Sequence, residues 1–524
     1  MAKTKTKTLS PSVLLPNGKP FLTWQPVLKF SKTLYVDGRS ASASDDNAGT
    51  EAQPLRTVAR AAELLEPGQR VLVARGVYRE RIVPARGGSS ADKMIGYQAA
   101  PGAAVVLKGS RVVKGTWKKA GRTGGVWVTK LPADWFAPDD NPFTTPNISG
   151  KQFDIMPWAE GYRGTLPYSL PCGLVFQNGK RLVQVAKRTE LAKAAGTYWV
   201  GEGGRSLYVR PFGGRSPDAA TMEITTQSQI LAPREMGLGF VQVCGFTIEQ
   251  VGNCFPMPQY GAVSPTRGHH WLVEGNIIRQ CNGIALDIGN QHPTLPQPAI
   301  KPAWHIVRGN IITDCGVCGV QGLGTYNCLI EDNFFKGNAF HDVEVYFETA
   351  SIKTHFTTDT LIRRNRVLRT LHGSGIWIDA NNANSRITEN VVVDTSTMFG
   401  GIFVEISDKT NMVDRNVVWN TKGAGLYEHD CGSQIFTGNF VGRTKGPAMW
   451  FRGAVTGRKL GDKPIPDMNH TITGNVLYAN KQGINTPLEK QKLVANNLSE
   501  GIEAQFNRKD FTLTWFNRRR GAEK

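Results

Sequence analysis

The chain has 524 residues, a formal net charge of +19, 57 glycines, 20% charged and 9% aromatic residues. This composition excludes a coiled coil and bulk disorder, and the length exceeds one compact core unless the fold grows by repetition. No apolar run reaches the roughly 18 residues of a membrane span, and the start offers only the short stretch SVLLP, so the sequence reads as cytoplasmic for want of a recognisable signal peptide.

Taken in chain order, residues 1–31 read as a basic N-terminal tail, and 32–115 as an N-terminal cap with the first coils of a repeating sheet. In the cap, Leu55, Val58, Ala61, Ala62 and Leu65 recur at helical spacing and stop before Pro67-Gly68; the strand RVLVA follows. A helix at this place suits a solenoid that must cover its first open edge. Residues 116–235 change texture. Trp117, Trp127, Trp135, Trp158 and Trp199 lie among hairpin signals such as FQNGKRL, where Asn178-Gly179 separates two alternating runs, and the segment reads as a β-rich insertion or rim.

Residues 236–505 carry an internal repeat. An apolar residue, two variable residues, Asn and, in most copies, a second apolar residue recur at Asn276, Asn310, Asn333, Asn365, Asn390, Asn416, Asn439, Asn475 and Asn497, with the shorter steps between 22 and 26 residues. Such a coil is too short for a strand plus a helix, and it predicts a parallel β-helix with Asn at the turns, where it tolerates left-handed backbone and ladders with its counterparts. Residues 506–524 read as a basic C-terminal tail, and the first ten and last nineteen residues together hold +7 of the net charge. The remainder is spread without a nucleic-acid motif, so neither nucleic acid nor membrane is expected as a partner. Eight cysteines, with one CxxC at Cys315 and Cys318, are expected as buried structural thiols.

The second landmark is a Gly followed by alternating residues. In GIWID, Ile376 and Ile378 should face the core while Trp377 and Asp379 face out; in GIFVE, Ile402 and Val404 face in while Phe403 and Glu405 face out. The two acids share a register on consecutive coils, which places their carboxyl groups on the order of 5 Å apart, the spacing of a retaining glycosidase. Over residues 343–348 alternation predicts Val343, Val345 and Phe347 inward and Glu344, Tyr346 and Glu348 outward, with Glu348 beside Asp379. GLYEHD offers Tyr427 and His429 outward, with Glu428 and Asp430 at the bend, and Asp287 in GIALD is expected at the register of Asp379 several coils away. Any single outward acid is ordinary surface on a β-helix, but three in one ladder repel and raise at least one pKa, which favours use. Trp377, Phe403 and Tyr427 could equally bind sugar rings or form a stabilising ladder. Surface or turn positions are the default for His355 and the other histidines.

From Tyr35 to about Asn497 the chain resembles right-handed parallel β-helix carbohydrate-active enzymes, through YVDGRSAS, GTEAQPLRTVARAAELL and PGQRVLVARGVYRERI. GIWID, RITENVV and GIFVE are similar to glycoside hydrolase family 120, the β-xylosidase family. That resemblance implies Asp379 as nucleophile, Glu405 as acid/base and Glu348 as a third active-site acid; the segments after the two acids, ANNANS and DKTN, depart from the family's. The expected function is a retaining, exo-acting glycoside hydrolase on xylo-oligosaccharide or a related glycan. Trp377, Phe403, Tyr427, His429 and Asp287 are candidate substrate-binding residues, and the 116–235 region and the interruption at 291–304 are candidate rim loops. No cofactor is required in this reading, although a structural or substrate-bridging Ca²⁺ fits the alternative, a polysaccharide lyase or uronate epimerase with Lys353 or an Arg as base. A non-catalytic glycan-binding or tailspike-like solenoid is the third reading, and the oligomeric state is left open.

Overall fold

A computed structural model describes residues 6–121, 125–137, 140–148, 157–162, 164–255, 259–291, 302–346, 348–453, 458–460, 462–466 and 468–518. Phe347, most of the expected rim interruption (292–301) and the side chains of Trp158 and Tyr346 lie outside them.

Three long sheets, of thirteen, eleven and eight strands, run in parallel along the chain. One coil shows how the sequence produces them. Leu361–Arg363 forms a strand of the first sheet, the chain turns through Arg364 at φ 51°, Arg366–Leu368 enters the second, and Ser374–Asp379 enters the third. The next coil begins with Arg386–Thr388, hydrogen-bonded in parallel to Leu361–Arg363. One residue inward from each three-residue strand, such as Ile362 and Val367, and two from the longer one, Ile376 and Ile378, fill the interior, and Leu286, Val320, Ile352, Ile376, Ile402, Leu426, Met449 and Ile484 form one continuous stack on successive rungs. Each such buried side chain contributes about 2 kcal/mol over exposure.

The asparagine repeat is a buried ladder. The backbone N–H of Asn365 donates to Oδ1 of Asn390 at 3.0 Å, that of Asn390 to Asn416 at 3.0 Å, and that of Asn416 to Asn439 at 3.1 Å, while each Nδ2 also donates to the next Oδ1. The left-handed residue is the one before each Asn, not the Asn itself: Gly309, Asp332, Arg364, Glu389 and Arg415 all have φ between 51° and 62°. The reason is that the Asn amide, buried at the turn, must point along the axis to reach the neighbouring coils, and the preceding residue takes the bend.

The cap helix spans Val58–Leu64, with the Thr57 hydroxyl accepting from the Arg60 N–H, and buries Val58, Ala61 and Ala62. The insertion forms two sheets of five and four strands around Trp117, Phe143, Tyr198 and Leu207, antiparallel except where Val183–Gln184 pairs in parallel with Thr197–Val200, and Ser110–Val113 is the edge strand of the smaller one. Its hairpin turns at Asn178 and Gly179, with φ 51° and 75°, as a type I′ turn requires.

Neither terminus is a solvated tail over its described residues. Thr6–Thr8 pairs with Leu22–Trp24, and Leu15, Phe21 and Trp24 are buried against Met94, Leu272, Ile306, Leu329 and Leu361 on the outside of the thirteen-stranded sheet. Ile502–Asn507 and Thr512–Asn517 form a hairpin whose Phe506 stacks on Trp419, and Arg508 binds Asp394 through two nitrogens at 2.8 Å. Charge counting missed both because it passes over the apolar residues of the same segments, Leu15, Phe21 and Trp24 at one end and Phe506 at the other, which find a sheet face to cover.

Candidate active site

The eight-stranded sheet positions the predicted acids. Ile376 pairs with Ile402, Trp377 with Phe403 and Ile378 with Val404, so Asp379 and Glu405 come next on adjacent rungs, at the end of their ladder. Glu405 pairs in turn with His429. On the other side, the residue opposite Asp379 is His355, in the strand Ala350–His355.

Alternation fails over residues 343–348. Glu344–Tyr346 is a turn of 3-10 helix, Val345 is 41% exposed, and Glu344 turns inward, its carboxylate accepting from the Met398 N–H at 2.8 Å and from the Thr397 hydroxyl. Glu348 therefore lies before the strand and not in its ladder, yet its carboxylate arrives at the same place. The ammonium of Lys353 stands 3.3 Å from Glu348 Oε2 and 3.0 Å from Asp379 Oδ2, and His355 Nε2 lies 3.5 and 3.2 Å from the same two oxygens. Four charged groups thus form one buried cluster. Reading the strand from Ala350 makes Lys353 and His355 outward by alternation, a signal lost when the strand is started seven residues too early.

Asp287 does not share the register of Asp379. It pairs with Gln321, which pairs with Lys353, which pairs with Trp377, so it sits two residues earlier on the sheet. It is fully buried, and its carboxylate accepts from the backbone N–H groups of Gln259 and Gly289 at 2.7 and 2.8 Å, a structural role. Trp377, Phe403 and Tyr427 point outward as predicted, but they are 1%, 0% and 1% exposed. Phe403 stacks on Trp377 at 4.8 Å and lies 4.7 Å from Tyr427, Phe399 covers them, and Lys353 Nζ lies 3.0 Å from the Trp377 ring centroid. They are a covered ladder that flanks the charged cluster two residues earlier on the same face, not an open platform for sugar rings.

The two acids are tuned in opposite directions. Burial pushes the Asp379 carboxyl up, but Lys353 and His355 overcome it and hold the group well below the usual carboxylate range. Burial and the neighbouring Asp379 charge raise Glu405 to about 7, against the pull of His429, Lys353 and Arg458. Burial alone would lower His355, but Glu348 and Asp379 bring it to about 9, so it is an imidazolium at neutral pH. Lys353 is likewise held above its ordinary value by Glu348, Asp379 and Glu405 against desolvation. Beyond Glu405, His429 Nδ1 stands 3.7 Å and Arg458 Nη1 3.8 Å from Oε1, and both also contact buried Asp430. Glu428 is not at a bend but points into the coil interior, where His470 Nε2 lies 3.4 Å away.

Glu348, His355 and Asp379 are the group among the described residues with ligand atoms close enough to hold a metal ion. The donor set does not fit calcium, which takes six to eight oxygens, because the Lys353 ammonium and the His355 imidazolium already occupy the cation position between the two carboxylates.

A family model described as the right handed beta helix region matches residues 261–441. The chain is a right-handed parallel β-helix. The solved structure described as the complex of XylC with xylose is similar to it at 20% identity and TM-score 0.70, covering 91% of this chain and 88% of that one. A second, described as a glycoside hydrolase, is similar at 12% identity and TM-score 0.53, covering 89% of this chain and 96% of that one. No curated protein matches. Within this right-handed β-helix none of the eight cysteines is in a disulfide; Cys315 and Cys318 are buried, as expected, and face different neighbours. Among the described residues no helix is long and apolar enough to cross a membrane.

Proposed function

We propose that the chain is a retaining glycoside hydrolase that acts on xylo-oligosaccharides or a related glycan. The observation that carries this reading is the pairing of Asp379, held ionised, with Glu405, held protonated near neutrality, on adjacent rungs. Rungs ~4.8 Å apart leave no room for a water between the carboxyl groups, which favours direct attack by one of them. Asp379 attacks the anomeric carbon while Glu405 protonates the departing glycosidic oxygen; Glu405, now a carboxylate, then takes a proton from the water that hydrolyses the glycosyl-enzyme. Lys353 and His355 keep Asp379 anionic and aimed, and Glu348 balances their charge. The likeness to XylC supports a xylose-type glycone. Exo action is supported by Ile148 and Tyr168 of the insertion, which pack over Ile284, Val317 and Cys318 and cover the first rungs of this sheet. A Lys353-based lyase is disfavoured because that amine is held protonated.

The test is proton NMR of the first-formed sugar from an aryl β-xyloside and from a panel of oligosaccharides. Retained configuration is expected. A first product of inverted configuration, or an unsaturated product absorbing near about 235 nm, refutes the assignment of Asp379 and Glu405.

A further inference from the structure

The column of side chains that holds the two acids continues past them. His355, Asp379, Glu405 and His429 occupy successive rungs, and the ladder extends one residue further: Phe451 pairs with Glu428, and the Arg452 N–H donates to the Glu428 carbonyl at 3.1 Å, which puts Arg452 on the rung after His429. Asp379 and His429 are buried, Glu405 between them is half-buried, and Arg452 at the end of the column is exposed. In the opposite direction the column runs from His355 to half-buried Leu323, which carries no charge.

This gives the groove a polarity. An acid/base protonates the oxygen of the leaving group, so Glu405 marks the side on which the leaving group lies. That side carries Arg452, whose side chain reaches the neutral Tyr427 hydroxyl, and Arg458, whose partner is Asp430. With Arg458 matched by Asp430 and Glu405 uncharged in its acid form, Arg452 leaves the leaving-group side with a net positive charge. A sugar seated over His429 would turn its far substituents toward Arg452, two rungs or ~10 Å beyond Glu405.

We propose that the leaving-group subsite, built by His429, Arg452 and Arg458, prefers a sugar that carries a carboxylate, that is, a uronic acid residue. The proposal rests on the reading of Asp379 and Glu405 as nucleophile and acid/base, because that reading decides which side is which. A planar guanidinium takes a carboxylate through two parallel hydrogen bonds, which a hydroxymethyl group cannot replace.

The test uses the full chain and two probes that differ only in this group, methyl β-glucuronoside and methyl β-glucoside, titrated calorimetrically so that turnover is not needed. The uronate is expected to bind on the order of tenfold more tightly. The preference should fall toward unity in Arg452→Gln, return in part in Arg452→Lys, and shrink at about 0.5 M salt. Equal binding of the two probes, including no binding of either, overturns the proposal, as does an undiminished preference in a folded Arg452→Gln. Retained product configuration without the uronate preference refutes the subsite alone. Inverted configuration with the preference intact refutes the acid assignments and leaves a uronate site beside them.

Discussion

Replacing Lys353 with Met removes the ammonium that stands 3.3 and 3.0 Å from the carboxylates of Glu348 and Asp379 and leaves the apolar stem against Trp377. At an effective dielectric of about 20, the attraction lost at the shorter distance is about 5 kcal/mol, partly offset because the desolvation of the ammonium is relieved too. A net loss of about 3 kcal/mol is two pH units in the affinity of the carboxylate pair for a proton. The sign follows from the direction of the shift. Asp379 is depressed in the folded chain, so it stabilises the fold above the ordinary carboxylate range, and that contribution is lost as pH falls through the depressed value. In the wild type the acid limb of kcat/KM should therefore lie below the usual range of a carboxylate. In Lys353→Met it should rise by about two units, kcat/KM should fall by up to about a hundredfold at pH values below the shifted limb and little above it, and urea midpoints should begin to drop at correspondingly higher pH. The assay is the pH profile of kcat/KM on an aryl glycoside together with urea unfolding across the same range. An acid limb that does not move, with activity within about threefold of wild type, would refute the argument that Lys353 is what keeps Asp379 ionised.

The alkaline limb of kcat/KM should fall near pH 7, where Glu405 loses its proton, and Glu405→Ala should erase that limb, as a profile from pH 5 to 9 will show. The same variant should lose about a thousandfold or more on poor leaving groups but far less on activated aryl glycosides, and azide should yield a glycosyl azide of retained configuration. Asn390→Ala strips the acceptor of the Asn365 N–H and a donor to the Ile362 carbonyl and Asn416 Oδ1, all buried, so unfolding free energy measured in urea should drop by about 3 kcal/mol or more. Exhaustive dialysis against a chelator, with or without reductant, should leave activity and melting temperature unchanged, because ammonium and imidazolium fill the cation position and none of the cysteines is in a disulfide; loss on chelation and recovery with Ca²⁺ would contradict the first of these.

The sequence by itself determined the fold and the adjacency of Asp379 and Glu405. A repeat of about 24 residues with Asn at one turn can be satisfied only by stacking, and a period of two fixes which of Trp377, Ile378 and Asp379 faces out, so the adjacency of Asp379 and Glu405 follows from counting after a Gly. The tertiary structure decided what counting cannot reach. Alternation holds only inside a strand, and nothing local marks that Glu344–Tyr346 is a helical turn, so the place of Glu348 and the outward direction of Lys353 and His355 depended on where the strand begins. Counting from a Gly misplaces Asp287 because Gly283 is equivalent to Gly373 and not to Gly375: Ile284 aligns with Ser374 through Cys318 and Ala350, and the register through Gln321 and Lys353 leaves Asp287 two residues short of Asp379. Outward on a coil is not the same as exposed: Phe399 covers Trp377, Phe403 and Tyr427, and residues before the cap cover the thirteen-stranded face. The protonation states of the site belong to the same class, since they arise from Lys353, His355, Asp379 and Glu405 meeting in one desolvated cluster. Their charges can be read from the sequence, but the distances between them exist only after the coils have stacked.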